Sequence, residues 1–296
     1  MPWSADFFEE VSQDRHHGSS VVFEKFLTLL HTLLHQIEAI DEKFLKALPQ
    51  AIVAVRPDMA PFYYAALQVS ELIARSDGDV KVDRDRLALF VAELQQRQAV
   101  AREKISANAR EQLAGLHSIM LHSNSHTVTA LVREHLPRET EVFLSDAYPD
   151  QEGLQVAQEL AGCGFQVTLV PDDAKCQYVP RVDLVLLGSD WVTETDFTNK
   201  IGTQSLALAG FNEKKRVLVA TDGSKLVPRK LRPERRTNRV RLSKNLYREQ
   251  PIFEEIDNQL VDCFITDLGL FTPSELSAFI GTRLKYVSFH LGTSSR

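Results

Sequence analysis

The sequence predicts an α/β chain, with a helical N-terminal region over residues 1–112 and a doubly wound, mainly parallel sheet region over residues 113–296. Three observations predict it. Before Gly115, apolar residues recur at three- and four-residue spacing with charges between them. After Gly115, short apolar runs rich in β-branched residues each end in a polar or glycine-containing turn. Helical patterns lie between most of those runs, as the crossovers of a parallel sheet require.

The helical region rests on "VVFEKFLTLLHTLLHQIEAIDEKFLKAL" and "DRLALFVAELQQRQAVAREKISANAREQLA", with "RPDMAPFYYAALQVSELIARSD" between them after a proline-marked turn. The strands are read at "LHSIMLHS", "TEVFLSD", "FQVTLVPD", "VDLVLLGSD", "KRVLVATDG" and "VDCFITDLG". The helices between them are read at "VTALVREHL", "GLQVAQELAG" and "TQSLALAGF". Ligands of doubly wound sheets bind outside the carboxyl ends of the strands, where the connections reverse. Those ends carry hydroxyls and carboxylates here: His122-Ser123-Asn124, Ser145-Asp146, Asp172, Ser189-Asp190, Thr221-Asp222 and Thr266-Asp267.

With 296 residues, 44% hydrophobic and 25% charged, the chain has the composition of a globular protein with a sizeable core. No run approaches the roughly 18–20 apolar residues of a spanning helix. The opening residues lack the basic and apolar regions of a secretory signal. Three cysteines, with no Cys-x-x-Cys, fit a reducing compartment without a disulfide framework, so a cytoplasmic location is expected. Residues 225–248 carry ten basic residues against one acidic, although the net charge is −6. Such a segment is a candidate anion or protein-partner site, or a solvated loop whose cations pair with acidic neighbours. Its only aromatic residue is Tyr247, which disfavours stacking on nucleic acid.

Asp190 follows four aliphatic residues and a Gly-Ser step, which places it at the mouth of a central strand. A partly desolvated carboxylate there suits proton transfer; it equally suits a turn or helix cap. Asn199, Lys200, Gly202 and Thr203 read as a helix N-terminus with a lysine, suited to a phosphate; Asn199 or Thr203 could instead cap the helix. His117, His122 and His126 need not converge and belong to no metal motif, so no metal is expected. No Gly-x-Gly-x-x-Gly follows a strand, and no cofactor is expected.

"GSDWVTETDFTNKIGTQSLA" resembles the Gly-Ala-Asp/Glu, spacer, Asn-Lys-Ile-Gly-Thr pattern of one superfamily. It comprises the α, β and δ subunits of initiation factor 2B, methylthioribose-1-phosphate isomerase and ribose-1,5-bisphosphate isomerase. "IMLHSNS", "SDAYPDQEGLQVAQELAGCGFQVTLVPD" and "FEEIDNQLVDCFITDLGLFTPSEL" extend the likeness over about residues 115–280. The resemblance implies a Rossmann-like sheet domain and a homodimer.

In the family's isomerases, a cysteine and an aspartate move the proton between an aldose 1-phosphate and its ketose. The aspartate corresponds to Asp190, while the cysteine position is Ser123. A hydroxyl has a pKa far above a thiol's value near 8.5. The isomerases' phosphate-binding arginine corresponds to Tyr148, which cannot form arginine's bidentate contact. Ser123 and Tyr148 side with the non-enzymatic members, whereas Asp190 sides with the isomerases.

The resemblance therefore implies a pocket for a phosphorylated sugar or nucleoside monophosphate, used for binding or regulation. The alternative is an isomerase with Asp190 as acid/base and His122 or Ser123 replacing the thiol. His122, Asn124, Ser125, Asn199, Lys200 and Lys225 are the expected ligand contacts.

Overall fold

The structure is a computed structural model that describes residues 5–14, 18–38, 40–74, 84–149, 151–233 and 238–287. Its first part is helical: α1 (Glu9–Gln13), α2 (Ser19–Gln36), α3 (Glu42–Val55), α4 (Ala60–Ala74) and α5 (Arg84–Leu113). In α2 the apolar positions Val22, Phe23, Phe26, Leu27, Leu30, Leu33 and Leu34 fall on one stripe and are all buried. They meet Phe62, Ala66 and Val69 of α4 and Leu87, Val91 and Leu94 of α5. Asp41 caps α3 by accepting the Phe44 N–H at 2.7 Å.

The 30-residue α5, about 45 Å long at 1.5 Å per residue, serves two cores. Its first half packs in the helical core, and Ile105, Ala109 and Leu113 pack against the sheet.

The main sheet is built from β1 (Ser118–Leu121), β2 (Glu141–Ser145), β3 (Gln166–Val170), β4 (Leu184–Leu187), β7 (Arg216–Ala220), β11 (Cys263–Thr266) and β12 (Gly269–Phe271). Their spatial order is β12-β11-β7-β4-β1-β2-β3. All neighbouring pairs are parallel except β11 with β12. The crossovers include α6 (His126–His135), α7 (Glu152–Gly162) and α8 (Thr203–Asn212); α9 (Pro273–Val287) follows the sheet. Alternate residues serve opposite faces. Ile119, Leu121, Leu184 and Leu186 join one core, and Met120, Val185 and Leu187 join the other. The α/β class and the six parallel strands expected from the sequence are present.

Two features add to the expected plan. β5 (Trp191–Val192), β6 (Asp196–Lys200) and β10 (Phe253–Asp257) form a small antiparallel sheet. β8 (Asn238–Ser243) and β9 (Leu246–Gln250) form an exposed hairpin. Trp191 of β5 packs at a tilt against Tyr63 of α4, ring centroids 5.0 Å apart, inside an apolar cluster with Ala60, Leu67, Val227 and Leu231. That cluster joins the helical part to the sheet part.

The chain runs β1-β2-β3 in one direction and returns to β4 on the other side of β1. The reversal opens a crevice at the carboxyl ends of β1 and β4, the usual ligand position in such a sheet. Close packing at this end depends on Gly153. A Cβ there would lie 1.9 Å from the Ser145 carbonyl oxygen. Gly153→Ala is expected to lower stability by about 2–3 kcal/mol, read as a lower urea midpoint with unchanged slope; an unchanged midpoint would contradict this packing.

Candidate ligand site at the carboxyl rim

Three non-glycine residues at the rim have positive φ: Ser123 (65°) after β1, Ala147 (58°) after β2, and Gln151 (53°) before α7. Left-handed backbone costs a residue with a Cβ about 1–2 kcal/mol, and such strain concentrates at functional sites. Ser123 Oγ donates to Glu152 Oε2 at 2.7 Å. The other oxygen, Oε1, accepts from Lys200 Nζ at 3.3 Å, and the Asn124 N–H reaches Oε2 at 3.5 Å. Glu152 thus links the loop after β1, the start of α7 and the end of β6.

The same arrangement recurs along the rim. Asp172 accepts the N–H groups of Ala147 at 3.1 Å and Tyr148 at 2.7 Å, with Lys175 Nζ 3.9 Å away. Asp222 accepts from Ser20 Oγ at 2.9 Å and from the Ser224 N–H at 3.1 Å, with Lys225 Nζ 3.9 Å away. Asp267 accepts the Gly223 N–H at 2.5 Å. Burial raises the Asp267 pKa against the Gly223 hydrogen bond, which lowers it, and the neighbouring Asp222 adds to the rise. Backbone amides clustered after parallel strands form anion-binding concavities; here the protein's own carboxylates occupy them.

Lys175, Lys200 and Lys225 are 4%, 2% and 8% exposed. An isolated buried ammonium costs several kcal/mol, so the neighbouring carboxylates offset part of the cost of burying these lysines. Lys225 Nζ also donates to the Ser189 carbonyl at 2.8 Å, which places it between the ends of β4 and β7. Ser189 Oγ in turn donates to Thr221 Oγ1 at 2.8 Å. Half-buried Asp190 follows directly, and its N–H pairs with the Thr198 carbonyl at 2.8 Å. Beside the Lys225 loop lies a cleft of about 290 Å³ between the helical and sheet parts. Arg97 and Lys104 line it from α5, opposite Ser224 and Asp267.

Some expected contacts have other duties. Asn199 and Lys200 do not start a helix, although their sequence reads as a helix N-terminus. They end β6, and α8 begins at Thr203. Antiparallel pairing with β5 and β10 overrides the helical reading of Asn-Lys-Ile-Gly-Thr. Asn199 Nδ2 is turned to Thr203 Oγ1 at 3.0 Å. The first donors of α8, the N–H groups of Gly202 and Gln204, both reach Glu254 Oε1 at 2.7 Å. The helix end is therefore capped from β10 and is not an open phosphate site. Ser125 caps α6 by accepting the Val128 N–H at 3.4 Å. Asn124 is exposed.

The basic segment is partly internal. Arg232 pairs with Asp196 and Glu255, and Arg229 lies 3.5 Å from Asp196, so these cations serve the fold. Residues 234–237 lie outside the described residues. Asp172 stands among the strand ends read from the sequence, whereas Glu152 and Lys175 were missed. Glu152 had one signal, an acid just before the glycine that opens α7, but first-turn acids are ordinary helix-dipole partners. Among the described residues, no three His, Cys, Asp or Glu side chains are grouped to hold a metal ion. No described helix is long and apolar enough to cross a membrane.

His122 is buried and bonded at both nitrogens. The Ile201 carbonyl can only accept, so Nε2 carries the proton and donates to it at 2.9 Å. Nδ1 then accepts from Ser145 Oγ at 2.5 Å. Burial, reinforced by Lys175, lowers the His122 pKa to about 4, so the ring is neutral near pH 7 and orients the rim. Below pH 6.5 the unfolded chain takes up a proton that the folded chain refuses until about pH 4. Stability contributed by neutral His122 is present above pH 6.5 and declines through that window by roughly 3 kcal/mol. Denaturant titrations between pH 7 and pH 4 should show this decline in the wild type and a shallower one in His122→Gln. Equal slopes would place the effect elsewhere.

A sequence profile of the Initiation factor 2 subunit family matches residues 26–273. Ribose 1,5-bisphosphate isomerase of Archaeoglobus fulgidus is 24% identical over 265 residues, covering 84% of each chain. Among solved structures, the Pyrococcus horikoshii translation initiation factor eIF-2B superposes with TM-score 0.73 at 24% identity, covering 90% of this chain and 96% of that one. The 5-methylthioribose 1-phosphate isomerase of the same organism superposes with TM-score 0.67 at 17% identity, covering 95% of this chain and 87% of that one. At those identities the two structures establish the fold alone. The profile covers well over half the sequence: this chain belongs to the Initiation factor 2 subunit family.

Proposed function

We propose that this protein binds a phosphorylated sugar or a nucleoside monophosphate at the carboxyl rim, in a binding or regulatory role without isomerase chemistry. The observation that carries this reading is Lys225. Its ammonium group stands between the ends of β4 and β7, on the β4 side of the crevice, 3.9 Å from the Asp222 carboxylate. At that separation the carboxylate balances the charge without taking a hydrogen bond, so Lys225 is the proposed phosphate anchor. Half-buried Asp190 is the neighbouring acceptor for ligand hydroxyls. Ser123, at the position of the isomerases' cysteine, donates its hydroxyl to Glu152, and a hydroxyl is a poor proton carrier at neutral pH.

A second reading is an aldose 1-phosphate isomerase in which Asp190 assists proton movement from C2 to C1. The 24% identical bisphosphate isomerase and the carboxylate of Glu152 beside Ser123 favour it.

One titration separates the two. With ribose 5-phosphate, ³¹P NMR is expected to show a saturable change. Lys225→Met, checked for native near-ultraviolet circular dichroism, should weaken binding at least about tenfold. With ribose 1,5-bisphosphate or methylthioribose 1-phosphate, no ketose phosphate should form, either in the wild type or in Ser123→Cys. Ketose resonances would replace the binding reading with the isomerase.

A further inference from the structure

We propose that the rim selects a ligand with a single phosphate, and that Glu152 is the residue that excludes a second one. This inference rests on the binding reading above and deepens it by naming the ligand class. Its basis is the occupation of the donors on the β1–β2 side of the crevice. Glu152 holds Ser123 Oγ and Lys200 Nζ, and Asp172 holds the N–H groups of Ala147 and Tyr148.

A phosphate arriving on that side would have to displace a carboxylate from those donors or lie beside it as a like charge, which is strongly unfavourable in a partly buried site. The nearby buried cations do not reverse this, because Lys200 is matched by Glu152 and Lys175 by Asp172. A neutral hydroxyl meets the opposite situation. A carboxylate offers about four lone-pair positions. The Glu152 side chain is 32% exposed, so its remaining positions can be reached by a donor from solvent. The sugar end of a monophosphate supplies such donors, whereas the second phosphate of a bisphosphate supplies only acceptors and charge. Across the crevice, Lys225 gives its hydrogen bond to the neutral Ser189 carbonyl, with Asp222 3.9 Å away, and Arg97 and Lys104 line the adjoining cleft together with Asp267; the one phosphate is assigned to this end.

The test is isothermal calorimetry with ribose 5-phosphate and ribose 1,5-bisphosphate on the whole 296-residue chain. The wild type is expected to bind the monophosphate at least tenfold more tightly. Glu152→Gln, which keeps the acceptor for Ser123 and removes the charge, should shrink that ratio at least threefold. A salt series on the wild type gives a check independent of the variant's folding. If the second phosphate is repelled, raising ionic strength narrows the ratio; if it is attracted, bisphosphate binding weakens faster than monophosphate binding. Equal or tighter binding of the bisphosphate, or a bisphosphate affinity that falls faster with salt than the monophosphate affinity, overturns the selectivity while leaving the binding reading intact. Failure of both ligands to bind overturns the binding reading, and the selectivity with it.

Discussion

The arrangement on which this site depends is the pairing of backbone donors at the carboxyl ends of parallel strands with carboxylates from the same chain. Such donors must be satisfied when buried. Many doubly wound proteins leave some of them to a bound anion. In this chain Asp172, Asp222 and Asp267 take the amides after β2 and β7, and Glu152 takes the hydroxyl after β1. The fold closes the rim with its own negative charges and then balances them with Lys175, Lys200 and Lys225. Net charge −6 is therefore a poor guide to the site, because the relevant charges are buried in pairs.

This pairing also cross-links the elements of the rim. Each lysine is long and buried beside a carboxylate, on a different element for Lys200 and three residues earlier in the chain for Lys175 and Lys225. Lys200 joins the end of β6 to the start of α7, and Lys225 joins the end of β4 to the loop after β7. Ser20 at the start of α2 adds a bond to Asp222, and Asn108 of α5 donates to the Thr266 carbonyl at 2.8 Å. The helical part thus reaches the strand ends through polar contacts, while the Tyr63–Trp191 cluster holds it through apolar ones. Positive φ at Ser123 and Ala147 fits the same picture, since strained loops persist when their neighbours determine them.

The sequence made much of this legible for a simple reason. Strands buried on both faces read as continuous apolar runs, and Leu184–Leu187 or Ile119–Leu121 can hardly be mistaken. The strand-end residues follow directly from those runs, which place Ser123 and Asp190 at the rim, while Lys225 comes only from the family resemblance. Asn199 and Lys200 were misassigned because β6 is short and polar, and only its partners on both sides make it a strand. Glu152 was invisible for a different reason. Its role lies in a contact 29 residues away with Ser123 and one 48 residues away with Lys200, and no local pattern encodes either.

The central claim is that the rim holds one phosphate at its Lys225 end while Glu152 keeps its own partners. A crystal structure of the protein with ribose 5-phosphate tests it most directly. The account predicts a phosphate within hydrogen-bond reach of Lys225 Nζ, sugar hydroxyls donating to Asp190 or Glu152, and the Ser123–Glu152 bond intact. A phosphate seated instead on Ser123 and the amides of Ala147 and Tyr148, with Glu152 and Asp172 displaced, would contradict it.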